Sequence, residues 1–111
     1  MWSKCVGVAL VAVSLMTGSA WGQTAKFPDQ AIKMIVPFAP GGGVDTAGRL
    51  IARQMQARLG VSVVVENRAG AGGNLGGDAV AKAANDGYTL LMSSGGMVSI
   101  NPHLYPKMPF D

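Results

Sequence analysis

Cysteine is nearly absent from this chain: Cys5 is the only one among 111 residues. It stands ahead of an apolar run near the start, so the remainder carries no thiol and no disulfide to stabilise it. Histidine is as scarce. His103 has no cysteine or paired carboxylate near it at ligand spacing, which argues against a metal site. A serine nucleophile would need its base from that same histidine, in an irregular tail, and its orienting acid from nowhere evident. No catalytic group is therefore assigned, and His103 reads as a surface residue. Charged residues make up 14% of the chain and aromatics 6%. Lys33, Arg49, Arg53, Arg58, Arg68, Lys82 and Lys107 are scattered, with no stripe of interleaved aromatics, so nothing points to nucleic acid. The methionines, Tyr88 and Phe110 read as packing residues.

What is present begins with a leader. Lys4 precedes an apolar run from Val6 to Met16, broken only by Gly7 and Ser14. The run is shorter than the roughly 20 residues needed to span a bilayer, and it ends in small and polar residues. This is the pattern of a signal peptide over residues 1–22, with Ala20 and Gly22 as the small residues before a cut at Gln23. Export to the periplasm follows, with no stable membrane anchor after the leader is removed. Cys5 lies on the wrong side of the run for lipid attachment. Loss of Lys4 lowers the net charge of +3 by one.

Ile32 to Phe38 is short, almost wholly apolar and bounded by turn signals, which predicts a strand buried on both faces. From Asp45 to Leu59, Ala47, Leu50, Ile51, Met55 and Leu59 recur at helical spacing and predict the core-facing stripe, with Arg49, Arg53, Gln56 and Arg58 outward. Gly60 follows as a left-handed helix end. Val61 to Val65 is β-branched and predicts a second strand, parallel to the first by a crossover. After the glycine-rich stretch 68–73, Asn74 is placed to cap a helix reaching Ala84, with Leu75, Ala79, Val80 and Ala83 apolar. Asn85-Asp86-Gly87 ends it, Tyr88 to Met92 predicts a third strand, and Ser93 to Gly96 a polar loop. The tail from Ile100 shows no period. The fold class is α/β, a parallel sheet with flanking helices.

Each strand thus runs into a loop able to present backbone N–H groups, and open parallel sheets bind ligands beyond their carboxyl ends. The strongest such loop is Ala39-Pro40-Gly41-Gly42-Gly43-Val44-Asp45, where glycines lead into a helix start whose dipole favours an anion. A tight turn without a ligand accounts for the glycines as well. Asp45 is equally a first-turn residue favoured by the dipole or a carboxylate beside the cradle able to receive an ammonium group. Gly70, Gly72 and Gly73 serve a sharp turn, and Arg68, Ser93 and Ser94 read as polar loop residues. A phosphate P-loop is rejected because Arg49 and Leu50 stand where Lys and Ser/Thr are needed. A dinucleotide fold has Gly41, Gly43 and Glu66 in its favour, but Thr46 occupies its third glycine position.

Six segments in order carry a resemblance: Phe27-Pro28-Asp29, Ile35 to Gly43, Val63 to Arg68, Gly70 to Asn74, Asp86 to Leu91, and Asn101 to Tyr105. Together they resemble the tripartite tricarboxylate transporter substrate-binding receptors, the Bug family. The resemblance implies a type II periplasmic-binding-protein fold, two α/β domains closing on a small carboxylate. Di- and tricarboxylates, acidic amino acids and aromatic acids are the ligands it suggests, with uptake through a permease or sensing as the role, and no cofactor. The ligand-binding role carries over to Ala39, Gly41, Gly42, Gly43 and Asp45 of the first loop, and to Ser93, Ser94 and Gly95 of the third. Val44 departs from the threonine common there, and Ser93 to Ser99 from the usual polar stretch.

By the same resemblance, residues 23–98 correspond to the N-terminal part of domain 1, and 99–111 to the start of a crossover to a second domain. The chain is then expected to be an N-terminal fragment. Two other readings remain: a fragment of a dinucleotide-binding enzyme, and a truncated chain with no binding activity, its three-stranded sheet too small and edge-exposed to be stable alone.

Overall fold

The computed structural model describes residues 26–110. The leader, its cleavage site and Cys5 lie outside them, as does Asp111. Strand β1 (Ile32–Val36) stops two residues before the expected Phe38. Pro37 has no N–H to continue the ladder. Helix α1 (Gly43–Leu59) begins two residues earlier than expected, with Gly42 extended as its N-cap, and Thr46 N–H donates to Gly42 O at 2.9 Å. It ends as the sequence predicts: Gly60 is left-handed, φ +71°, and its N–H donates to Gln56 O at 3.0 Å.

Strand β2 (Val63–Asn67) is displaced two residues toward the C-terminus of its predicted span. Pairing decides this, because Ile35 and Val36 take Glu66 and Asn67 as register partners. After a single 3-10 turn at Ala71–Gly73, helix α2 (Asn74–Ala81) closes three residues before Ala84. Asn74 is its first residue and not a side-chain cap. Strand β3 (Thr89–Leu91) is the centre of the predicted run. Two short helices, α3 (Gly95–Ser99) and α4 (Asn101–Leu104), replace the expected loop and part of the irregular tail. Elements of four or five residues are too short to display a period, although Pro102 in the first turn of α4 suits a helix start.

The sheet has the order β2-β1-β3, with both pairings parallel. On one face Ile32, Met34 and Val63 pack with Ala52 of α1, joined by Met55, Val65, Leu90 and Met92. The predicted stripe of α1 is corrected here: Leu50, Ile51 and Leu59 are 58%, 43% and 40% exposed, while Asp45, Gly48 and Ala52 are buried. Small residues let the helix approach. A Cβ on Gly48 would lie 3.2 Å from Val36 Cγ2 and 3.3 Å from Met92 Cγ. Gly48, not the exposed Thr46, is therefore the position pressed against the strands.

Side chains alternate along a strand, so Ile35 and Pro37 face the other way, where Gly76 of α2 meets Pro37. The segment ahead of β1 is held at the opposite end of the sheet. The Phe27 and Tyr88 rings meet at a tilt of 58° with centroids 4.9 Å apart, and Tyr88 Oη donates to Asp29 Oδ1 at 2.6 Å. All three strands therefore point their carboxyl ends at one edge, where the glycine loops gather.

Candidate functional site

The first loop leaves β1 at Pro37 and exposes Ala39, Pro40 and Gly41 to Gly43. Gly41 is left-handed, φ +88°, and its N–H turns back to donate to Asp45 Oδ2 at 2.9 Å. Among the described residues, the N–H groups of Gly42, Gly43 and Val44 find no acceptor. They stand at the amino end of a 17-residue helix, where partial positive charge collects.

Asp45 is only 4% exposed. Its carboxylate accepts from Arg49 Nε at 3.1 and 3.0 Å and from Asn67 Nδ2 at 2.9 Å. The Arg49 guanidinium, then the Gly41 amide and the Asn67 amide, hold its carboxyl well below the usual carboxylate range against the cost of burial. Arg49, predicted to face solvent, is half exposed and reaches on to Asn67 Oδ1 with Nη2 at 3.1 Å. Asn67 Nδ2 also donates to Phe38 O at 3.0 Å. Asn67 was not singled out from sequence. A signal existed, since the last residue of a second parallel strand lies beside the turn that follows the first.

In the third loop, Ser93 Oγ donates to Ser94 O at 3.1 Å and lies 3.0 Å from Met97 Sδ. Ser94 is extended ahead of α3, its carbonyl accepting from Met97 N–H at 3.1 Å, and Gly95 faces open space. The parallel register, Ile35 beside Leu91, carries this loop to the neighbourhood of the first. The second loop is tied to α4. Asn101 Nδ2 donates to Gly72 O at 2.9 Å and to Asn74 Oδ1 at 2.8 Å, with both asparagines buried. Arg68 pairs with Glu66 at 2.6 Å, which lowers the Glu66 carboxyl, and Lys33 adds a 3.5 Å contact. A hollow of about 320 Å³ opens beyond, lined by Met97, Val98, Pro102, Met108 and Phe110. His103 is exposed on α4.

A parallel α/β lobe with its loops gathered beyond the strand ends is the fold of the periplasmic binding proteins. Residues 47–111 match the tripartite tricarboxylate transporter family receptor, TctC. The chain belongs to that family. Protein BugT of Bordetella pertussis is 52% identical over 85 residues, 76% of this chain and 26% of that protein. The solved structure of R. palustris Rpa4515 with adipate aligns with a TM-score of 0.74 and 36% identity, covering 77% of this chain and 28% of that one. MatC from Rhodopseudomonas palustris with bound malate gives a TM-score of 0.57 and 48% identity, covering 59% and 22%. The chain spans under a third of its curated relatives, 31% and 26% of the first two.

Proposed function

We propose that the full-length protein is a periplasmic receptor that captures a small carboxylate for uptake or sensing. The observation that carries this is the first loop, whose Gly42, Gly43 and Val44 amides find no acceptor among the described residues and stand at a helix start. In that position they offer donors to a carboxylate with no displacement of existing bonds. Relatives solved with malate and with adipate support the ligand class. Ala39, Gly42, Gly43, Ser93, Ser94 and Gly95 form the seat, and Gly41 and Asp45 set its shape. Water-mediated contacts suffice alongside direct ones, so shape tunes selectivity as much as charge. Residues 23–98 build part of one lobe, the remainder of the site comes from a second lobe, and a tripartite tricarboxylate transporter permease is the partner for uptake. The protein binds its ligand and performs no chemistry on it.

Calorimetric titration of the full-length protein with malate, adipate, citrate, aspartate and benzoate tests this. At least one is expected to bind and to raise the melting temperature, because only a ligand of the native form stabilises it. Binding of none of them, or stabilisation by NAD instead, overturns the reading.

A further inference from the structure

We propose that Asp45, Arg49 and Asn67 form a positioning clamp that holds the first loop in its carboxylate-receiving shape, with Asp45 making no contact to the ligand. The proposal rests on the receptor reading above. An ionised carboxylate offers about four lone-pair sites. Asp45 meets three donors from within the protein: Oδ2 accepts from Gly41 N, Oδ1 from Asn67 Nδ2, and the single Arg49 Nε–H is shared between both oxygens. The residue is 4% exposed, so almost none of its surface is open to a ligand ammonium group.

Each bond has a consequence for the seat. Taking the Gly41 N–H inward fixes the left-handed turn, which leaves Gly42 and Gly43 as the outward donors. Arg49 offsets the negative charge that Asp45 would otherwise set beside an arriving anion. Asn67 spans Phe38 O and Asp45 Oδ1 with one amide nitrogen, so the end of β2 and the first loop are fastened to each other. Three side chains on two elements thus act as one unit, and their contributions to binding are coupled.

The test compares succinate with aspartate, which differ by an ammonium group, on the full-length protein and its variants. Asp45→Ala and Asn67→Ala are each expected to weaken both ligands by the same factor, at least about tenfold. The double variant is expected to bind no worse than the weaker single one. Arg49→Gln is expected to weaken succinate more than its monomethyl ester, since the uncompensated Asp45 charge opposes a dianion more than a monoanion. A loss confined to aspartate in Asp45→Ala would make Asp45 a ligand contact and overturn the clamp. Unchanged binding in Asn67→Ala would do the same. Should the parent protein bind neither ligand, amide exchange still decides: Gly41 N–H must exchange more slowly than Gly42 and Gly43, and Asp45→Ala must abolish the difference. Equal exchange rates in the parent refute the clamp without reference to any ligand.

Discussion

At Gly76 an added Cβ would come within 2.7 Å of Pro37 Cβ, 2.9 Å of Pro37 Cα and 3.1 Å of Arg68 O. Alanine there improves helix propensity by about 1 kcal/mol, but it meets a rigid ring and two stretches of backbone that cannot swing aside. Overpacking of this kind costs about 1–3 kcal/mol, so Gly76→Ala is expected to lower the urea midpoint. Leu50→Gln, at a side chain 58% exposed, should stay within about 0.5 kcal/mol of the parent. The two variants separate hydrophobicity from fit. Leu50 looks essential in the sequence and Gly76 looks dispensable, because a periodicity argument weighs side chains and cannot register the space a missing one leaves. The same blindness hid Asn67 and Asn101, whose partners are 18 or more positions away in the chain.

The elements around the first loop share a dependence on pH. Asp45 is held well below its ordinary value of 3.8 and Glu66 below 4.5, by Arg49 and Arg68 first among their causes. A carboxyl whose folded pKa is lowered contributes stability that is complete above the ordinary value and lost as pH falls through the folded one. Urea midpoints should therefore drop between pH 5 and pH 3, values chosen to bracket the ordinary carboxylate range. Asp45→Asn should be less stable than the parent at neutral pH, with the gap narrowing in acid. Tyr88 carries the opposite sign. Its hydroxyl is raised above 10.0 by donating to Asp29, so its contribution holds below that value and is lost as pH climbs past it. At this scale the succession of strand, glycine turn and helix was legible, since β1, α1 and its Gly60 ending follow from apolar runs and turn chemistry. The boundaries were not: Pro37 shortened β1, and pairing with Ile35 and Val36 drew Glu66 and Asn67 into β2.

Across the molecule, the described residues leave β2 and β3 each paired on one side only. Val64, Val98, Ile100 and Leu104 are 54%, 76%, 54% and 69% exposed. Unpaired strand edges beside apolar surface invite association. The 111-residue chain expressed alone is expected to bind a hydrophobic dye and to show concentration-dependent mass by light scattering, and a monodisperse monomer that excludes the dye would contradict this. The parallel arrangement and the gathering of loops at one edge were readable from the order of elements, whereas the rotation of α1 was set by contacts that only the packed sheet supplies. The tilted pair of Phe27 and Tyr88, with the Tyr88 hydroxyl bonded to the Asp29 carboxylate, lies at the amino end of β3. Anything fused ahead of Lys26 consequently departs from the face remote from the glycine turns. A biosensor chip that captures the protein by that end would leave the glycine turns toward the flowing sample.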